Sequence, residues 1–206
     1  MKKLFCVMGR TCSGKTTLAK TVAATLHMKV LRSYTTRPMR DGENEHTSDH
    51  IFISEDEVKL FEGKMAAYTE INGYKYFVTK DMIMEADIYV VDPNGYKMLA
   101  EYVERKNMKI KLVPIYIDVD VNDQERRYRA RGNTRNEFWE RYKSEAEQFD
   151  KFEEEMTTYN PKRGYTYVYR IKNVDFHYTV KMIEECIYNH LSLIEKLKYN
   201  LRRLIK

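Results

Sequence analysis

Gly9-Arg10-Thr11-Cys12-Ser13-Gly14-Lys15-Thr16 decides how the chain is read. The run fits G-x-x-x-x-G-K-[ST], and its flanks are the ones that pattern needs. Leu4 to Met8 ahead of it is a short apolar run that predicts a buried strand. Thr17 to His27 behind it carries Leu18, Val22, Thr25 and Leu26 at helical spacing. The glycines therefore fall on a strand-to-helix turn, where successive backbone N–H groups can converge on an anion. In such a loop Lys15 reaches the β- and γ-phosphates of a nucleotide, and the Thr16 hydroxyl takes Mg²⁺. Thr17, in the first helical turn, joins the loop as a candidate triphosphate contact. A glycine-rich turn that only capped a helix would leave Lys15 and Thr16 together without a purpose.

Length and composition agree with a single core carrying small inserted lobes: the chain has 206 residues, 43% of them hydrophobic and 33% charged. A formal charge of +5 suits an anionic ligand, although 36 basic and 31 acidic residues nearly balance. Cys6, Cys12 and Cys186 are odd in number and lack metal-ligand spacing. Cys6 is expected in the core, and this usage points to a reducing, cytoplasmic setting. The apolar run after Met1-Lys2-Lys3 stops at Gly9-Arg10, too short for a leader, and no segment approaches the ~18 apolar residues of a membrane span.

Downstream, short apolar runs alternate with helical patterns. Strands are predicted over Lys29–Leu31, Ile51–Ile53, Asp87–Val91, Ile110–Val119 and Thr166–Ile171, with a hairpin over Ala66–Val78 turning at Asn72-Gly73. Helices are predicted from Ser54, with Glu57 completing a capping box, to Glu62, and over Lys80–Ala86 and Tyr96–Lys106. Asp123–Phe152 reads as helix broken near Gly132-Asn133, and Phe176–Lys206 as one long amphipathic helix. Asp92-Pro93-Asn94-Gly95 reads as a turn. This alternation implies a parallel sheet covered on both faces, with ligands beyond the carboxyl ends of its strands. Gly9, Ser33, Asp92 and Asp118 each follow an apolar run and are expected at that edge.

A second constellation lies in Ser33-Tyr34-Thr35-Thr36-Arg37-Pro38-Met39-Arg40-Asp41-Gly42-Glu43, where two guanidiniums from one loop could grip a phosphate. Taken with the P-loop, this run resembles the S-x-T-T-R, arginine, G-E pattern of the guanylate kinase family. Asp49-His50-Ile51-Phe52-Ile53-Ser54 is similar to that family's D-Y-x-F-V-S segment, with His50 on its tyrosine. Tyr76 falls on the tyrosine of its Y-G pair, and Asp92 on the second aspartate of its L-D-I-D strand. Arg127-Tyr128-Arg129-Ala130-Arg131-Gly132 looks like its lid segment, with Arg141 near a second lid arginine, and Ile171-Lys172-Asn173 resembles its late strand ending in asparagine.

The resemblance, over roughly residues 1 to 190, implies an α/β P-loop NTPase three-layer fold with a parallel sheet, a small inserted NMP-binding lobe and a helical lid. It divides the chain into a core (1–33, 84–122, 143–206), an acceptor lobe (34–83) and a lid (123–142). It implies a nucleoside monophosphate kinase that uses ATP and Mg²⁺. Ser33, Arg37, Arg40, His50, Tyr76 and Asp92 would hold the acceptor, and Arg127 and Asn173 would sit against the nucleotide. Lys15, Arg37, Arg131 and Arg141 would surround the transferring phosphoryl group. Alternatively, the lid arginines belong to a solvated charged helix with pairs such as Glu137 with Arg141. The partners implied are nucleotides, with neither membrane nor nucleic acid expected; the tail beyond Leu191 leaves a homodimer open.

Departures concentrate where the family reads guanine. Its glutamate falls on Ala67, with Glu70 three residues out of step; its glycine and serine fall on Phe77 and Val78. Without that carboxylate a guanine would leave donors unmet, at ~1–3 kcal/mol each. Ala67, Phe77 and Val78 are thus expected to reshape the acceptor pocket, unless a hairpin shift brings Glu70 into the glutamate's place. A different acceptor (a modified or pyrimidine nucleotide, or a ribose phosphate) and a non-catalytic binding module are the alternatives.

Overall fold

The computed structural model describes residues 1–40, 42–71, 73–157 and 168–204. Its centre is a parallel sheet of β1 (Lys2–Met8), β6 (Ile88–Val90), β7 (Ile110–Asp118) and β8 (Tyr169–Lys172), in the order β6-β1-β7-β8. Alternate residues of the central strands feed opposite cores. Leu4, Cys6, Met8, Leu112 and Tyr116 pack with residues of α4 (Pro93–Arg105) and with Phe149 of α6 (Arg135–Thr157). Phe5, Val7, Val113, Ile115 and Ile117 pack with α1 (Lys15–Leu26) and α7 (Phe176–His190). Burial on both faces explains why β1 and β7 are continuously apolar rather than alternating. The three layers expected from the alternation of strands and helices are present.

A second, mixed sheet is inserted between α1 and β6. Its order is β3-β2-β5-β4, from β2 (Ser33–Thr35), β3 (His50–Phe52), β4 (Met65–Ile71) and β5 (Tyr74–Thr79). The hairpin predicted over Ala66–Val78 is β4–β5, although Asn72 lies outside the described residues. The Ser54–Glu57 capping box forms as predicted, but α2 (Glu55–Val58) is short and passes at once into a 3₁₀ turn, Lys59–Phe61.

Several expectations are corrected. Lys29–Leu31 is not a strand; Val30 makes only an isolated parallel bridge to Ile88 at the sheet edge. Asp92-Pro93-Asn94-Gly95 is not a free turn but the start of α4: Asp92 caps it through Gly95 N–H at 3.0 Å, and Pro93 takes the first turn, where its missing N–H costs nothing. The predicted C-terminal helix is two, α7 and α8 (Leu193–Leu204), because Leu191 leaves helical geometry and Ser192 starts a new cap with Glu195. The predicted strand over 166–171 starts partly outside the described residues and is observed as β8. The break near Gly132 falls between α5 (Val121–Arg129) and α6 as read. Among the described residues no helix is long and apolar enough to cross a membrane, and all three cysteines are free and buried.

Candidate functional site

β1 delivers the P-loop to the carboxyl edge of the parallel sheet. Gly9 must be glycine there: an added Cβ would lie 2.7 Å from the Ile117 carbonyl oxygen. Gly14 caps α1 at φ 85°, in the left-handed region, and a Cβ would meet the Asn173 amide at 2.9 Å. The loop is braced from outside by two groups that the resemblance places against the nucleotide. Asn173 Nδ2 donates to the Ser13 carbonyl at 2.7 Å, and the Arg127 guanidinium donates to the Cys12 and Asn173 carbonyls at 3.3 Å each. Lys15 Nζ rests on the Arg10 carbonyl at 3.3 Å, and burial pulls its pKa below the usual lysine value against the pull of Glu145.

The side chain of Arg10 does not face the cradle. It is 4% exposed, donates through Nε to Glu153 at 2.8 Å, pairs with Asp150, and lies over the rings of Tyr142 and Phe149. Only its backbone remains for a ligand; its guanidinium clamps the loop onto α6. Along that helix Arg141, Glu145, Phe149 and Glu153 recur every fourth residue, so one stripe turns toward the P-loop.

One cavity of about 410 Å³ joins the loop to the inserted sheet. Gly9, Lys15 and Thr16 line it from the P-loop, and Arg141 and Glu145 line it from α6. The candidate acceptor contacts line it too: Ser33, Arg37, Arg40, His50 and Tyr76 from the inserted sheet and its loops, and Asp92 from the end of β6. A neighbouring polar cavity shares Lys15, Thr16, Arg40 and Arg141 and adds Thr11, Cys12, Gly14, Thr17 and Arg131. Of the four residues expected at the strand edge, Gly9, Ser33 and Asp92 meet in the first cavity. Asp118 instead pairs with Arg170 of β8 at 3.0 Å.

The two loop arginines are not equivalent. Arg37 is buried, bound bidentately to Glu43 at 2.9 and 3.0 Å, and stacked over Phe52. That pair holds the Glu43 carboxyl down at about 2. Arg40 is exposed, and among the described residues no carboxylate pairs with it; the same holds for Arg131. His50 bonds Ser33 Oγ through Nδ1 at 2.9 Å and meets the Tyr76 ring edge-on at 5.4 Å. Burial, helped by the nearby Arg37 charge, depresses its pKa to about 4, so it is neutral at pH 7.

The reshaping expected of Ala67, Phe77 and Val78 is corrected. Ala67 and Val78 are buried in the core, and Phe77 stacks on Tyr34 and packs at a tilt against Phe61. The residues that reach the cavity lie further along the hairpin: Thr69 paired with Tyr76, and Ile71 paired with Tyr74. Glu70 does not replace the missing glutamate, because period-2 alternation turns it to the opposite face, where it accepts from Tyr68 Oη at 3.2 Å. The alternative pairing of Glu137 with Arg141 is also corrected. Glu137 caps α6 through Thr134, and the partner of Arg141 is Glu145 at 3.0 Å. Thr69 and Glu145 were missed by sequence reasoning; i+4 spacing from Arg141 was the only signal for Glu145.

Mg²⁺ fits this donor set only as a companion of phosphate. Thr16 supplies one hydroxyl at the cradle, and among the described residues no group of three His, Cys, Asp or Glu could hold a metal ion alone. Mg²⁺ usually keeps several waters and binds nucleotide phosphates, which matches so sparse a set.

No protein-family model and no curated protein sequence matches the chain. Among solved structures, it is similar to the guanylate kinase of Anaplasma phagocytophilum, at TM-score 0.61 and 22% identity, over 90% of this chain and 84% of that one. At that identity the likeness concerns architecture: the chain has a guanylate-kinase-like P-loop α/β fold.

Proposed function

We propose that this protein transfers the γ-phosphoryl group of ATP to the phosphate of a nucleoside monophosphate. The observation carrying this reading is a cavity lined both by Lys15 and Thr16 of the P-loop and by Arg37, Arg40 and Tyr76, with Arg141 also in its wall. A triphosphate on the cradle and a monophosphate on the arginines would share that cavity. An oxygen of the acceptor phosphate attacks the γ-phosphorus, the bond to the β-phosphate oxygen breaks, and ADP leaves.

Such a transfer needs positioning and charge neutralisation rather than covalent help. Lys15 and the loop amides hold the β- and γ-phosphates; Arg141 and Arg131 meet the charge spread over the transferring group. Arg40, without a carboxylate partner among the described residues, grips the acceptor phosphate while Arg37, fixed by Glu43, shapes the loop that carries it. Bound Mg²⁺ supplies further charge neutralisation on the phosphate oxygens. In this reading the inserted sheet is the acceptor lobe, and α5 with the start of α6 is the lid.

A second reading concerns the acceptor, and the hairpin register favours it. Thr69, Ile71, Tyr74 and Tyr76 bring hydroxyls and ring faces from the hairpin but no carboxylate; the carboxylates of the cavity, Asp49, Asp92 and Glu145, come from other parts of the chain, so the hairpin offers guanine's donors no glutamate. An acceptor other than a guanine nucleotide fits this lining better. ADP formation measured with ATP, Mg²⁺ and a panel of nucleoside monophosphates and ribose phosphate tests both readings. An acceptor-dependent rate that Lys15→Ala lowers on the order of 10²–10³-fold is expected. If no acceptor raises ADP formation, the transfer reading is wrong; a clear preference for GMP sinks the second reading.

A further inference from the structure

The Glu145 carboxylate sits where an anion belongs. Its Oε2 accepts the Thr11 N–H of the P-loop at 2.9 Å, and its Oε1 accepts Arg141 Nε at 3.0 Å. One carboxylate thus spans a loop amide and a lid-type arginine, the two kinds of donor that a triphosphate would use. Its side chain is only 15% exposed, and its charge reaches Lys15. The Arg10 clamp explains why it is there: Asp150, Glu153 and Phe149 pin α6 against the loop, and the same helical stripe brings Glu145 to the cradle's mouth.

We propose that Glu145 is a built-in stand-in for phosphate that holds the empty cradle closed and must leave when nucleotide enters. The inference rests on the cradle binding a triphosphate, as in the proposed function. A phosphate arriving at the Thr11 amide would meet a carboxylate of like charge, so the two cannot share the donor. Rotation about the Glu145 side chain frees the Thr11 N–H and the Arg141 guanidinium in one movement, while the clamped helix stays in place. Glu145 thereby lowers triphosphate affinity and releases Arg141 only when the cradle fills. It is a positioning residue, acting through Thr11 and Arg141.

Calorimetric titration of tripolyphosphate and of ATP–Mg²⁺ into wild type, Glu145→Gln, Glu145→Ala and Glu147→Gln tests this. Glu147 is exposed on the same helix, so its variant removes the same charge without opening the cradle. The Glu145 variants are expected to bind both ligands about 10-fold tighter, the size of one charge-assisted hydrogen bond, and Glu147→Gln to stay within about twofold. The isosteric Gln variant keeps the helix packing if Ala disturbs it. Equal or weaker binding by both Glu145 variants overturns the inference, even if acceptor phosphorylation is intact. Tighter binding by the Glu145 variants sustains it even if no acceptor is ever phosphorylated.

Discussion

His50 and Glu43 both carry pKa values below their ordinary ones, about 4 against 6.5 and about 2 against 4.5. In each case the unfolded chain binds the proton more readily, so stability is full above the unfolded value and is lost on acidification. For His50 the loss runs as pH falls from 6.5 to 4, and for Glu43 as it falls from 4.5 to 2. The melting temperature should therefore be level near pH 7–8 and decline in two overlapping steps below. His50→Asn should flatten the upper step; an unchanged slope between pH 6.5 and 4 would show that His50 is not held neutral. At this scale the sequence singled out these residues but not their states. The spacing of Arg37 and Arg40 suggested equal partners for a phosphate, yet the chain beyond them folds back and spends Arg37 on Glu43.

At the scale of elements, two devices set the site. The first is the β4–β5 register, which gives the cavity Thr69 and withholds Glu70. Glu70→Gln should leave the KM of the preferred acceptor within about twofold, while Thr69→Glu should shift acceptor preference, both read from initial rates across the nucleotide panel. Equal effects of the two would mean that the hairpin is paired in another register. The second device is the Arg10 clamp. Removing one partner of a buried ion pair leaves its carboxylates uncompensated, so Arg10→Met should cost about 3 kcal/mol in urea unfolding, since Glu153 is largely covered while Asp150 is exposed. A loss below about 1 kcal/mol would reduce the clamp to a surface pair. Capping signals such as Ser54–Glu57 were legible because all their parts lie within one turn of chain. The Asp92 cap was missed because Asp-Pro-Asn-Gly also has the composition of a free turn.

At the scale of the molecule, the parallel sheet carries the P-loop at one edge and α8 near the other. Tyr199 and Glu195 of α8 border a separate cavity, away from the P-loop, beside Lys2, Lys3 and Phe5 at the start of β1, whereas Gly9 follows its end. Lys3 ties to Glu195 at 3.2 Å, and Leu193, Ile194 and Leu197 are exposed. A chain ending at Leu191 keeps both core layers, so it should unfold cooperatively at a lower temperature and bind ATP as the full chain does. Weakened ATP binding would show that α8 reaches the site through the sheet. Light scattering on both chains measures what the exposed residues of α8 contribute to association.

By itself the sequence determined the fold class, the P-loop and the strand-to-helix setting that makes it a cradle, because those depend on hydrophobic period, glycine positions and spacings of a few residues. Tertiary structure alone decided which side chains of that cradle are free. Arg10 turned away to α6, Glu145 filled the anion seat, and Ala67 and Val78 sank into the core while Thr69 reached the cavity. Each outcome depends on a partner from a different element, some of them more than a hundred residues away in the chain. Whether a charge is spent or available follows from that distant partner, and local pattern carries no record of it.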